Sequence, residues 1–583
     1  MSDIKEKAQA TLKDSAAIRW LVLFLVSGLM FSTYWFQDFF GGLKGMMESQ
    51  MGYSSEEFGR IIGLTTIANM FGMIMVGGFV LDKLGLRIAG LLFGGLAVLG
   101  GATTALAGAG VFGDSHDTQL IMMIVGRVMF GSGLEVVCVV ATTTMVKWFK
   151  GYELALAMAI NMGFGRLGSA MGLAVSPDIS GTVPPAITFA ATLLGVTFLM
   201  FVIYIFFDVR LEKQQKAAGV IEAEKNKEAG ADETEDQASL GDMLAEFWQD
   251  LKALATNPSF RYIALLCVAF YAAVFPFIQY APDILINKFG FSSSLPRAGF
   301  SIGGSVTFGT VLIYVGLFAY ALLFAIVPSR IKSFGGKIGA IIVIVGTFSG
   351  FAYILRDTLG MWFNNGQKTA SLIPLGTIVF TPIFGNIVDK KGKAASLMIL
   401  GSLLLIFAHV SLSLFDSPVL AYLGLFSLGV AFSLVPAAMW PSVAKIVPQK
   451  RLGTSYSAMF TVQNWGLGLF FWGLGALVDK LNPKTVESIA AARKNLEAQG
   501  LTSAEVANQI VKMKASGEIP QYNYTIPIAV LVLCGVVSIF LAFMLKRADK
   551  KQNYGLELPS SEGGAEAEGT QEKKNKKEEK GSD

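Results

Sequence analysis

The sequence predicts an all-α polytopic membrane protein, and three observations carry that reading. Of its 583 residues, 53% are hydrophobic and only 15% charged, where a soluble chain of this size carries about a quarter of charged residues. Fourteen apolar runs recur along it, each long enough to cross the roughly 30 Å of a bilayer's hydrocarbon. Lysine and arginine fall in every second short loop, the bias that sets topology.

The elements follow in order. Residues 1–16, "MSDIKEKAQATLKDSA", are polar and form a cytoplasmic segment; the apolar run behind them is too long for a cleaved signal. Six runs, near 17–40, 58–81, 88–110, 119–147, 153–177 and 184–208, make an N-terminal bundle over 17–209. Residues 210–258 are dense in both charges and poor in aromatics, so they read as a solvated cytoplasmic linker. Eight more runs follow within 259–545, near 260–287, 303–327, 338–355, 369–388, 394–415, 418–444, 453–479 and 524–545. Between the last two, an extracytoplasmic loop of about 481–523 holds several lysines; long loops translocate regardless of charge, and helical structure is expected there. The tail, 546–583, is disordered on composition. Basic loops at Lys83 and Arg87, Lys147 and Lys150, Arg330, Lys332 and Lys337, Lys390, Lys391 and Lys393, and Lys450 and Arg451 put both termini in the cytoplasm of a multi-pass inner-membrane protein.

Several function classes are excluded. The net charge of +4 sits mostly in loops and tails and reports topology, not nucleic-acid binding. Cys138, Cys267 and Cys534 lie inside apolar segments without paired spacing, and His116 and His409 are far apart. No metal set or catalytic nucleophile emerges, so no cofactor and no enzyme activity are expected. The expected partners are a small-molecule solute and the lipid bilayer, with the chain acting as a monomer.

Two loops repeat. Gly78, Asp82, Lys83, Gly85 and Arg87 stand in "GGFVLDKLGLR"; Gly385, Asp389, Lys390, Gly392 and Lys393 stand in "GNIVDKKGK". Each lies between the second and third helices of a half, where glycines permit a tight turn and the acid pairs with a nearby base or helix end. The pattern resembles the signature loop of the major facilitator superfamily. That resemblance implies two six-helix bundles, with loops that latch the halves together in one state and release them in another. The pair of runs at about 303–356 is then an insertion between the seventh and eighth helices of the fold, for which peripheral packing is expected. Arg127 opens "RVMFG", similar to the family's R-x-x-x-G element, with Phe130 in the place of the usual glutamine. The family's Gly-Pro antiporter element is not intact; Gly163, Gly165, Gly168 and Gly172 read as helix-packing positions.

Arg166 is the lone charge in "MAINMGFGRLGSAMGLAV", and a charge at membrane depth costs several kcal/mol. The fourth and fifth helices turn at Lys150 and Gly151, with Glu135 and Arg166 each about fifteen residues away. At about 1.5 Å per residue, both sit about 20 Å from the turn and share one depth. A buried ion pair locking the helices is one reading, although such pairs add little net stability. The other is a shared ligand in a wet cavity: carboxylate and guanidinium at one level match a zwitterion.

"TMVKWFKGYELALAMAINMGFGRLGS", "FYAAVFPFIQY", "FGFSSS" and "MWPSVAKIVPQKRLGTSYSAMFTVQNWGLG" together resemble the lysosomal dipeptide transporter group of that superfamily. The resemblance implies that Glu135 and Arg166 bind the two ends of a peptide, that transport is uniport, and that Tyr34 and Asp38 match the group's Tyr/Asp pair. Asp38 and Glu135 are the candidate proton sites, although Asp38 reads equally as a helix-end residue near the outer surface. Tyr271, Trp440 and Gln463 are further candidates for the cavity wall. Without a lysosomal sorting signal, and with an insertion foreign to the animal members, the chain reads as a bacterial relative. An organic-anion carrier, with Arg166 holding a carboxylate, is the alternative.

Overall fold

The computed structural model describes residues 11–113, 115–217, 240–293, 299–448 and 451–559. Fourteen long helices fall where the apolar runs predict them. In the first half these are α1 (Ala16–Met46), α2 (Ser55–Met70 with Met73–Leu81), α3 (Lys83–Gly108), α4 (His116–Phe149), α5 (Leu154–Val175) and α6 (Val183–Ala217). The second half holds α7 (Pro258–Phe289), α8 (Val306–Arg330), α9 (Phe334–Ile354), α10 (Leu372–Lys391), α11 (Ala394–Leu414), α12 (Pro418–Ile446), α13 (Leu452–Leu481) and α14 (Thr525–Gln552).

Helices dominate because hydrocarbon offers no partner to a free N–H or C=O, so a spanning segment must satisfy its own backbone. Among the described residues, eleven helices are long and apolar enough to span, or twelve when the bent α2, turned by 54°, is counted. The two others, α5 and α13, are as long but carry the polar residues Asn161 and Arg166, and Gln463 and Asn464. Positive φ at Gly72 (+87°) breaks α2, and positive φ at Gly85 (+80°) kinks the chain within the first turn of α3.

With the inserted α8 and α9 set aside, the halves repeat one packing scheme. In the first half α1 packs on α5 and α6, and α3 on α4 and α6; in the second α7 packs on α13 and α14, and α11 on α12 and α14. The halves meet along two seams, α2 with α13 and α5 with α10, and where α1 crosses α7.

The insertion departs from expectation. Helix α9 is almost wholly uncovered, as peripheral packing predicts. Helix α8 instead enters the second seam and touches both α5 and α10. The tail departs as well: α14 runs on to Gln552, and Lys393 N and Ala394 N donate to Glu557 O and Leu556 O, each at 3.0 Å. Residues 560–583 lie outside the described chain, as do 218–239 of the linker. The rest of the linker is helical: α6 continues to Ala217, and Leu240–Thr256 is tied to the start of α13 by Asp250 and Arg451 at 2.7 Å.

The cross-half contacts gather between mid-depth and the face that carries residues 482–524, termed the loop face. Lys44 of α1 pairs with Asp283 of α7 at 2.8 Å, both buried. Lys368, just before α10, pairs with Asp178, just after α5. Asp479 of α13 accepts from Ser55 N (3.1 Å) and Glu56 N (2.7 Å), capping α2. The loop is helical as expected, at Pro483–Ala498 and Ser503–Ala515, and reaches across the halves through Lys514 to Glu48 at 2.9 Å. On the terminal face, Gly78, Gly85 and Gly385 have open space where a Cβ would stand.

Candidate functional site

Small residues let α5 lie flush on α1. A Cβ at Gly168 would stand 2.1 Å from Phe31 O, and one at Gly165 3.0 Å from the Tyr34 ring. This contact brings Arg166 beside Tyr34, its guanidinium carbon 6.0 Å from the ring centre. From α4, Cys138 Sγ lies 3.8 Å from the Tyr34 hydroxyl, and Glu135 stands one helical turn before Cys138. Tyr34 therefore sits between the predicted acid and the predicted base. Among the described residues neither Glu135 nor Arg166 has a hydrogen bond or ion pair, and both are partly exposed. The locked ion pair is not formed. A fully buried charge without a partner is prohibitive; two partly exposed ones between helix bundles are ready for water or a ligand.

The second half supplies an aromatic wall. Phe432 of α12 lies under the Arg166 guanidinium at 4.6 Å, a cation–π distance. Phe432 meets Phe275 edge-on at 5.3 Å and Tyr271 at 6.4 Å. Trp440 Nε1 donates to the Tyr271 hydroxyl at 3.0 Å, and its ring stacks on Phe460 at 4.7 Å. Tyr34, Glu135, Arg166, Tyr271 and Trp440 thus belong to one region. Phe432 was not among the predicted residues; an aromatic in an apolar helix carries no signal of its own.

The remaining candidates lie apart. Gln463 is buried and accepts from Cys267 Sγ at 3.4 Å, which ties α13 to α7. Asp38 is also buried, not at the outer surface, and accepts from Gln279 Nε2 at 2.7 Å, joining α1 to α7. Arg127 is fully buried: Nη1 donates to Phe36 O at 2.6 Å and Nε to Thr65 Oγ1 at 3.0 Å. It clamps α1 and α2 to α4 from inside and has no place in a gating loop. Among the described residues no three His, Cys, Asp or Glu side chains gather as a metal site would need.

Comparison with known proteins fits this architecture: the profile of the Major Facilitator Superfamily matches residues 23–365. The chain belongs to the major facilitator superfamily. Its relatives include the lysosomal dipeptide transporter MFSD1 of Danio rerio, 25% identical over 464 residues, covering 79% of this chain and 81% of that protein. The same transporter of Homo sapiens is 24% identical over 478 residues, covering 79% and 80%. Among solved structures, the nucleoside transporter NupG matches with a TM-score of 0.52 and 13% identity, over 91% of this chain and 99% of that one. A bacterial homologue of the human lysosomal transporter Spinster, inward-facing and occupied, gives 0.52 and 12%, over 92% and 98%. Those structural matches establish the fold.

In this superfamily member the two signature loops share a turn, and the Arg87 contacts of the first stay within one half. Gly85 (φ +80°) and Gly392 (φ +67°) both take the left-handed backbone that glycine adopts at least cost. Arg87 pairs within its own half: Nε donates to Asp208 at 2.6 Å and Nη2 reaches Glu212. Buried Asp208 also takes Lys147 at 2.7 Å and Trp148 Nε1 at 3.2 Å, so it knots α3, α4 and α6. The cross-half latch expected of these loops is absent from these contacts. Lys83, Asp389 and Lys390 are exposed, and the side chain of Asp82 lies outside the described part.

Proposed function

We propose that this transporter moves dipeptides and similar small zwitterions by alternating access, with Glu135 taking the ammonium end and Arg166 the carboxylate. One observation carries the reading: an acid and a base without an ion-pair or hydrogen-bond partner among the described residues, both partly exposed, flank Tyr34 between the two halves. The guanidinium offers a planar fork to both carboxylate oxygens while its face rests on Phe432. Tyr271 and Trp440 would flank the side chains of the solute. The names of the relatives, lysosomal dipeptide transporters, agree with this chemistry.

The cross-half pairs hold the loop face shut, which leaves the terminal face as the route between site and solvent in this state. For the site to open to the other side, Lys44–Asp283 and Lys368–Asp178 must part while the terminal face closes. The loop charges support cytoplasmic termini; the resemblance to the lysosomal group is what favours uniport, and a monomer in a bacterial inner membrane completes the reading. Asp38, tied to Gln279, fits a cross-half link better than a freely titrating proton site.

The test is thermal stabilisation of purified protein by dipeptides, amino acids and dicarboxylates. Dipeptides should raise Tm, and Glu135→Gln or Arg166→Ala should each remove most of that rise. Stabilisation by dicarboxylates alone would transfer the site to an organic-anion carrier. An undiminished response in both variants would refute the assignment of the pair.

A further inference from the structure

We infer that the inserted helix α8 is a positioning element for the candidate site, with Phe318 pressing on Gly163 to set where Arg166 stands. The inference rests on the proposed role of Arg166 as the solute's carboxylate ligand.

Helix α8 is anchored in the second half. The Tyr314 hydroxyl lies 2.6 Å from Ser371 Oγ at the start of α10, and the Tyr314 ring stacks on Trp362 at 5.1 Å. From that anchorage α8 reaches the first half at two heights. Thr307 Oγ1 donates to Asp178 O at 3.2 Å, beyond the end of α5. Near mid-helix, Phe318 meets the Phe164 ring edge-on at 5.3 Å, and a Cβ at Gly163 would stand 2.9 Å from Phe318 Cε2.

Gly163 and Arg166 are three residues apart on α5, hence on one flank of the helix. Helix α5 is therefore held between two hard contacts, the α1 backbone under Gly168 and the Phe318 ring over Gly163. Glu135 rides on α4, which packs mainly on α3 and more lightly on α5 and α1, and supplies neither of these two contacts. Any shift of α5 along the clamp changes the spacing of Arg166 from Glu135. That spacing selects solute length, because ammonium and carboxylate must reach both groups at once. The ring of Phe318 thus acts on selectivity through Arg166 without itself touching the solute.

The test is uptake by liposomes reconstituted with the full chain, using a single amino acid, a dipeptide and a tripeptide of matched side chains. Gly163→Ala should raise KM for the dipeptide at least fivefold and change the order of preference by length. Adding Phe318→Ala to Gly163→Ala should return KM to within about twofold of the parent. Phe318→Ala alone should narrow the gap between dipeptide and tripeptide at least threefold. Variants that lower only the amount of folded protein, with the length profile unchanged, would overturn this inference and leave the proposed function standing. A Gly163→Ala defect that Phe318→Ala does not relieve would do the same. Failure of the parent protein to move any of the three solutes would overturn both.

Discussion

The two seams that join the halves are built by opposite means. Along α2 and α13, backbone meets backbone: a Cβ at Gly475 would stand 2.0 Å from Ser55 O, and one at Gly59 2.6 Å from Phe471 O. The Tyr280 hydroxyl bridges the same strip, 3.2 Å from Ser55 O and 3.3 Å from Phe471 O. Along α5, where α10 and α8 meet it, side chains intervene: the Phe318 ring of α8 against Gly163, and the Lys368–Asp178 pair just beyond the helix ends. Close backbone contact through small residues packs well but leaves no side chain to adjust. An interposed ring can be resized. The adjustable seam is also the one that carries Arg166.

The comparison breaks most severely at the rigid seam. Gly475→Val should cost more than the about 1–3 kcal/mol of ordinary overpacking, because the obstacle is backbone. A collapse of Tm with loss of uptake is expected; a near-parental Tm would show that this seam has slack after all.

Next comes the ion pair of the adjustable seam. Lys368→Met strands a carboxylate where it is hardly exposed, a loss of about 3–5 kcal/mol. The double variant Asp178→Leu with Lys368→Met should recover most of it in chemical unfolding. Burial pushes the Asp178 carboxyl above its ordinary value, against the opposing pull of Lys368. A raised carboxyl pKa means that the folded state keeps a proton the unfolded state has released, so stability grows as pH falls through the folded value. Without Lys368 the rise is larger, and the Tm deficit of Lys368→Met should shrink on acidification. A deficit independent of pH would remove Asp178 from this account.

A smaller effect is expected at the wall facing Arg166. Phe432→Leu keeps apolar bulk but removes the ring face, worth about 0.5–2 kcal/mol. Dipeptide affinity should weaken by about two- to thirtyfold, with Phe432→Trp near parental by calorimetry. Least of all, Thr307→Val deletes one hydrogen bond at the outer end of α8, about 1 kcal/mol. It should lower Tm slightly and leave the length profile of uptake alone. A changed profile would move the control point from Phe318 to the end of α8.

Much of the candidate site was legible because charge inside an apolar run is conspicuous. Arg166 announced itself, and the hairpin arithmetic supplied Glu135 at the same depth. Tyr34 followed from resemblance, and Tyr271 and Trp440 from their places on the core helices. Phe432 and Phe318 were invisible: the chain has 44 phenylalanines, and nothing local marks the two that meet Arg166 and Gly163. Polar residues misled in the other direction. Gln463 has the look of a cavity residue, but its partner is Cys267. Arg127 and Arg87 stand in gate-like motifs, yet carbonyl oxygens of α1 and the carboxylate of Asp208 hold them within one half.

Helix number, helix order and the repeat came from the sequence by itself, because spanning a bilayer depends on local length and apolarity. The tertiary structure alone decided which flank of each helix finds a partner. Helices α8 and α9 are both almost uniformly apolar and adjacent in the chain, yet one is wedged between the halves and the other is left to lipid. A helix apolar all round has no periodic stripe to declare its inner face. Only the fit of side chains against a neighbour, such as Phe318 over a glycine, settles where it goes.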